Sequence, residues 1–150
     1  MRARITEALK DALKAGDPVR VSTLRLMLAA LKDREIALRG DEGPSTLDEA
    51  EALRLLSRMV RQREDSIASY EQAARMELAE RERREIDIIS EFLPKPLSEE
   101  EVDLAVAEAI AETGASSIRD MGKVMAALKA GHAGRMDFAR ASAKVKAALG

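Results

Sequence analysis

Apolar side chains recur along this chain three and four residues apart and nowhere alternate singly, so the pattern predicts helices and no strands. A first helix is expected from about Arg2 to Ala15, with Ile5, Leu9, Ala12 and Leu13 on one face and Gly16 as its end. Asp17 then stands as the cap of a second helix. Pro18 follows at the first helical position, where its missing N–H has no helical partner to lose. Val21, Leu24, Leu28 and Leu31 form the stripe of that helix as it runs towards Leu38. The segment Gly40–Ser45, with two glycines and a proline, reads as a loop. Thr46 and Glu49 make a capping box that opens a third helix. Leu53, Leu56, Val60 and Ile67 mark its inner face, with Arg54, Arg58, Arg61 and Arg63 largely outside. A break is expected near Ala73–Met76, after which helical spacing resumes through Leu78, Glu82, Ile86, Ile89 and Leu93.

Two prolines in Pro94-Lys95-Pro96 stop that helix and oppose another until Ser98. Ser98 and Glu101 form a second capping box, and Glu99 and Glu100 add negative charge where the helix dipole favours it. The helix they open carries Val102, Ala105, Val106, Ala109 and Ile110 and stops near Gly114. Two more follow, about Ile118–Ala130 and Asp137–Leu149, joined by Gly131-His132-Ala133-Gly134. The expectation is an all-α protein: a long-helix N-terminal hairpin or bundle over 1–93, then a small three-helix domain over 97–150.

Composition sharpens this picture. Apolar residues at 46% and charged residues at 35% belong to a globular chain and not to a disordered one. Tyr70, Phe92 and Phe138 are the only aromatics, so the core must be aliphatic and methionine-rich. The absence of cysteine excludes disulfides and thiolate metal sites. The N-terminus has no signal-like apolar core, and no run approaches the about 18 apolar residues of a membrane span. A soluble, cytoplasmic protein with no membrane partner is the expectation from this.

The net charge of −2 hides an asymmetry. Residues 97–118 hold six acidic and no basic residues, whereas residues 119–150 hold seven basic residues against Asp120 and Asp137. Little in the chain suggests catalysis. His132 is the sole histidine and reads as an exposed loop residue, and Ser117 is better explained as a helix cap than as a nucleophile. With no strand to precede one, no phosphate loop is expected, and neither a metal nor a cofactor is implied. Arg81, Arg83 and Arg84 are interleaved with carboxylates, the pattern of a solvated helix face with weak ion pairs. The seam Leu53–Val60 could serve a homodimer or a protein partner of the N-terminal helices.

The basic tail is the candidate site. Met121, Val124, Met125 and Leu128 share the core face of their helix, so Lys123 and Lys129 should be exposed. Gly122 and Ala126, four apart, let another backbone come close, and packing against a neighbouring helix is the plain reading. Arg135, Arg140, Lys144 and Lys146 extend the positive surface. Such residues give phosphate affinity without sequence information. With almost no aromatics for stacking, an RNA ligand would be a folded one, recognised by shape. The alternative is solvated charge on a protein-interaction adaptor or dimerisation module that binds no RNA.

At these residues the chain resembles the GatB/YqeY family, and more closely its stand-alone YqeY-like members. The resemblance rests on STLRLMLAALKDREIAL, LLSRMVRQREDSIASYEQA, ELAERERREIDIISEFLPKPLSEEE, IAETGASSIRDMGKVMAAL and the Gly134-Arg135-x-Asp137 step. It implies two all-helical domains, the second similar to the tRNA-binding tail domain of the aspartyl/glutamyl-tRNA amidotransferase. That tail helps hold tRNA while the chemistry resides elsewhere, so a label of glutamine-dependent carbon–nitrogen ligase activity would describe the complex. The resemblance implies tRNA or a tRNA-bearing complex as partner, with Lys123 and Arg135 inheriting the RNA-contact role most directly. The chain departs from the family at Phe138-Ala139, usually a small turn residue and a lysine, and at Ala73-Ala74-Arg75, usually a glycine-rich turn.

Overall fold

The computed structural model describes residues 1–39 and 47–150. Among these residues all regular structure is helical: α1 Arg2–Ala15, α2 Pro18–Leu38, α3 Glu49–Gln72, α4 Met76–Ser90, α5 Glu99–Thr113, α6 Met121–Gly131 and α7 Phe138–Leu149. A single 3-10 turn, Ile118–Asp120, leads into α6. The chain divides into two compact units, Met1–Leu93 and Pro94–Gly150, each with its own core.

In the first unit α1 and α2 form a hairpin, α3 and α4 form another, and α2 packs on α4. Gly16 ends α1 in a left-handed conformation (φ 69°), and Asp17 caps α2 by accepting the Arg20 N–H at 3.1 Å. The core holds Ile5, Leu24, Met27, Leu56 and Ile89, all fully buried. α2 rotates slightly from its expected stripe. Met27 and Thr23 take central positions, Val21 and Leu28 only flank the core, and the Thr23 hydroxyl donates to the Val19 carbonyl at 2.8 Å. Leu13, expected on the inner face of α1, is half-exposed, whereas its neighbour Ala12 is buried.

Three expectations for α3 are corrected. Its cap is Asp48, which accepts the Glu51 N–H at 2.8 Å; Thr46 and the Gly40–Ser45 loop lie outside the described residues. Arg63 does not point outwards: its Nε donates to the buried Glu85 at 2.9 Å and its Nη1 to the Met59 carbonyl at 3.0 Å. The two heads therefore satisfy each other at the α3–α4 contact. Burial, and then the neighbouring Glu85 carboxylate, push the adjacent Glu82 above its ordinary value. Nor is Leu53–Val60 a free seam, since Leu56 is fully buried and Val60 packs against the unit's own core. The arginines of α4 sit in ion pairs, Arg81 with Glu85 at 3.7 Å, Arg83 with Glu71 and with Glu80, and Arg84 with Asp17 at 4.0 Å.

The α3–α4 turn passes through Ala74 in the left-handed region (φ 56°), closed by the Arg75 N–H donating to the Tyr70 carbonyl at 2.8 Å. A Cβ is disfavoured there, by roughly 1–2 kcal/mol. Ala74→Gly should therefore raise the stability of the protein by about 0.5–1 kcal/mol in urea unfolding, against the usual direction of an alanine-to-glycine change.

Candidate nucleic-acid interface

The second unit is a three-helix arrangement in which α5, α6 and α7 each touch the other two. Its core is Val124, Leu128, Ala141 and Val145, with Ala105, Val106 and Ala109 from α5. Small residues on α5 and α7 let the helices close on one another without aromatic filling. The unit opens with the capping box of α5: the Glu101 N–H donates to the Ser98 hydroxyl at 3.1 Å, and the Ser98 N–H to the Glu101 carboxylate at 3.2 Å. The Ser98 backbone N–H, and then the Ser98 side chain, hold the Glu101 carboxylate below the usual range.

The start of α6 is built in a similar way. Ser117 caps the 3-10 turn, and the Asp120 carboxylate accepts the N–H groups of Ser116 at 3.0 Å and Ser117 at 3.4 Å. The Ser116 and Ser117 hydrogen bonds, with a smaller contribution from the Lys123 charge, lower the pKa of Asp120. Beyond this start, Val124 and Leu128 face the core, so the opposite face of the helix carries Gly122, Lys123, Ala126 and Lys129, all exposed. Arg119, in the 3-10 turn, is exposed at the same end. Arg119, Lys123 and Lys129 form no salt bridge among the described residues. Sequence reasoning missed Arg119 because it precedes the first full turn of α6. Its spacing from Gly122, Lys123 and Ala126 was the available signal.

The remaining candidates are disposed differently. Gly122 does not pack on a neighbouring helix: it faces solvent, and a Cβ there would meet no other atom within 4 Å. Arg135 is tied into the unit's own backbone. Its Nε donates to the Lys95 carbonyl at 3.1 Å, while its carbonyl accepts the Leu97 N–H at 2.8 Å. This pair of bonds fastens the proline segment to the α6–α7 turn, so Arg135 has a positioning role in place of the free surface cation expected. Lys144 is also not a free cation. Its ammonium donates to Asp103 at 2.6 Å and lies 3.7 Å from Glu99, and the Asp103 hydrogen bond lifts its pKa above the ordinary lysine value. Arg140 and Lys146 remain exposed on α7. His132, expected in an exposed loop, is a partly buried residue ending α6, its Nδ1 shut off from solvent and without a hydrogen-bond partner among the described residues. Among the described residues no cluster of three His, Asp or Glu could hold a metal ion, and no helix is long and apolar enough to cross a membrane.

Comparison with known proteins places this geometry in a family context. The family described as Yqey-like protein matches residues 2–149. Among curated proteins, Altered inheritance of mitochondria protein 41, mitochondrial, of Lachancea thermotolerans is 37% identical over 112 residues, covering 73% of this chain and 58% of the relative. The protein of the same name from Kluyveromyces lactis is 34% identical over 113 residues, with the same two coverages. That of Saccharomyces cerevisiae is 36% identical over 93 residues, covering 61% and 48%. The chain thus spans about half the length of the curated relatives it matches. These relatives are mitochondrial by name, which overturns the expectation of a cytoplasmic protein. That expectation rested on missing features, no cysteine and no signal-like core, and neither absence selects one compartment. No catalytic activity is part of the family description or of the relatives' names.

Because the carboxylates of Glu101 and Asp120 hold their protons less tightly in the folded protein, they stabilise it above the ordinary carboxylate pKa. That contribution is lost as the pH falls from there through their lowered values. The melting temperature of the wild type should therefore drop more steeply on acidification than that of the Glu101→Gln/Asp120→Asn double variant. Parallel profiles from circular dichroism would show that these caps carry no such linkage.

Proposed function

This chain belongs to the Yqey-like protein family, and on that premise we propose that it is a non-catalytic helical accessory protein whose second unit binds tRNA, or a tRNA-bearing complex, through the outer face of α6. The observation that carries the reading is the outer side of α6 and its 3-10 lead-in, where Arg119, Lys123 and Lys129 are exposed and form no salt bridge among the described residues, with Gly122 and Ala126 between them. Lysine and arginine at such spacing meet phosphates and leave sequence unread. The small residues keep the face shallow, so a ribose–phosphate backbone can come close to the helix. Gly122 is unused by the protein's own packing and lowers helix propensity by about 0.5–1 kcal/mol relative to alanine, so close approach of a ligand gives it a purpose. No aromatic residue stands on this face, which favours a folded RNA over a stacked single strand.

The part assigned to each candidate follows its environment. Lys123 and Lys129 contact phosphate, Arg119 joins them, and Arg140 extends the positive surface on α7. Arg135 holds the proline segment in place, and Lys144 neutralises α5.

Fluorescence-anisotropy binding to unfractionated tRNA, across a salt series and against duplex DNA, tests this reading. Wild-type protein should prefer tRNA. Lys123→Glu/Lys129→Glu should weaken binding and lower the slope of log affinity against log salt by roughly one to two. Gly122→Leu, at an exposed helix position where a Cβ meets no neighbouring atom within 4 Å, should keep the fold and still weaken binding. Affinity unchanged in both variants, or no preference for tRNA, would reject the assignment.

A further inference from the structure

The lysines of α6 stand on two flanks and not in one row. Val124 and Leu128 bury one side of the helix, and Ala126 lies at the centre of the opposite side. Lys123 and Lys129 fall on either side of Ala126, about 120° from one another around the axis at 3.6 residues per turn. Between these flanks Gly122, Ala126 and Ala130 are exposed and make a low ridge, and a Cβ at Gly122 would meet nothing within 4 Å. Arg119 stands at the N-terminal end of the same side. The start of the helix is closed to a phosphate, because the Asp120 carboxylate already takes the Ser116 and Ser117 N–H groups at 3.0 and 3.4 Å. Anions therefore meet this helix along its flanks.

Cations on two flanks with nothing tall between them suit one kind of nucleic-acid groove. With its side chains a helix is roughly 10–12 Å across. The minor groove of B-DNA, about 6 Å wide, is too narrow for it. The B-DNA major groove is wide enough, but it is about 8.5 Å deep, and a glycine–alanine ridge leaves its base edges untouched. In A-form RNA the major groove is deep and narrow, whereas the minor groove is wide and shallow. A low ridge reaches the floor of that shallow groove while both flanks stay within reach of the phosphates. The same groove displays ribose 2′-hydroxyls, and the backbone bared at Gly122 offers carbonyl oxygens with a second lone pair to accept from them.

Resting on the assignment of α6 as the tRNA-facing surface, we propose that this helix takes a double-stranded, A-form stem of the RNA and lies in its minor groove. Lys123 meets the phosphates of one strand and Lys129 those of the other. Gly122, Ala126 and Ala130 lie against the riboses between them. Recognition is by groove shape and 2′-hydroxyls, so the sequence of the stem goes unread.

Competition against fluorescent tRNA, with the full-length protein, tests the stem. An RNA duplex of about 16 base pairs should displace tRNA, and a DNA duplex of the same sequence or either single RNA strand should do so far less well. The sharpest probe is that RNA duplex with 2′-O-methyl riboses, which stays A-form and keeps every phosphate but fills the minor groove and removes its hydroxyl donors. Its affinity should fall by about tenfold. Ala126→Leu/Ala130→Leu raises the ridge and leaves the cations, so it should weaken duplex binding with the salt slope unchanged. Both positions are exposed, and melting curves check that the variant folds. Equal affinity for the methylated and unmodified duplexes overturns the proposal, as does a ridge variant that binds like the wild type. Binding of tRNA that the RNA duplex fails to displace also overturns it, and leaves α6 as a tRNA surface reading another part of the molecule. Absence of tRNA binding removes both.

Discussion

The ion pair between Lys144 on α7 and Asp103 on α5 decides what the positive end of this chain can do. Read along the sequence, residues 119–150 form one basic stretch and residues 97–118 one acidic stretch. Folding brings the acidic helix against the last helix, and the 2.6 Å contact turns Lys144 inwards to its partners. The proline segment takes up Arg135 through the Lys95 carbonyl. What remains is a cationic face at α6, carried by Arg119, Lys123 and Lys129, with Arg140 and Lys146 exposed on α7. Exposed ion pairs of this kind contribute little to stability. Their consequence here is electrostatic, since they remove charge from one helix and leave it on another.

The same distinction separates what was legible in the chain from what was not. Local signals were readable because the residues that make them lie within four positions of one another. Asp17-Pro18 starts α2, Ser98 and Glu101 start α5, and Gly16 and Gly114 end helices in left-handed conformations. The all-helical class followed from these and from apolar spacing. The rotation of α2 was not readable, because Leu, Met and Ala surround that helix and the pattern alone does not select a face. Arg63 was misplaced since its partner Glu85 is 22 residues away. Arg135 and Lys144 were misplaced for the same reason, with partners 40 and 41 residues distant.

The turn at Ala74 shows that a local rule can be broken while the architecture holds. The chain lacks the glycine expected there, yet the turn forms, and Arg75 closes it onto Tyr70. The packing of α3 on α4, with Leu56 and Ile89 buried and Arg63 bound to Glu85, is strong enough to hold an alanine in an unfavourable region. Gly122 is the converse, a glycine where no geometry within the chain calls for one. Packing explains the first and does not explain the second.

The central claim is that neutralisation of Lys144 leaves α6 as the RNA-facing surface. Amide chemical-shift mapping of the protein titrated with tRNA tests it most directly. The account predicts that Arg119, Gly122, Lys123, Ala126 and Lys129 shift together, while Lys144 and Ala147 on α7 stay in place. Shifts centred on α7 or on the first unit, or none at saturating tRNA, would contradict it.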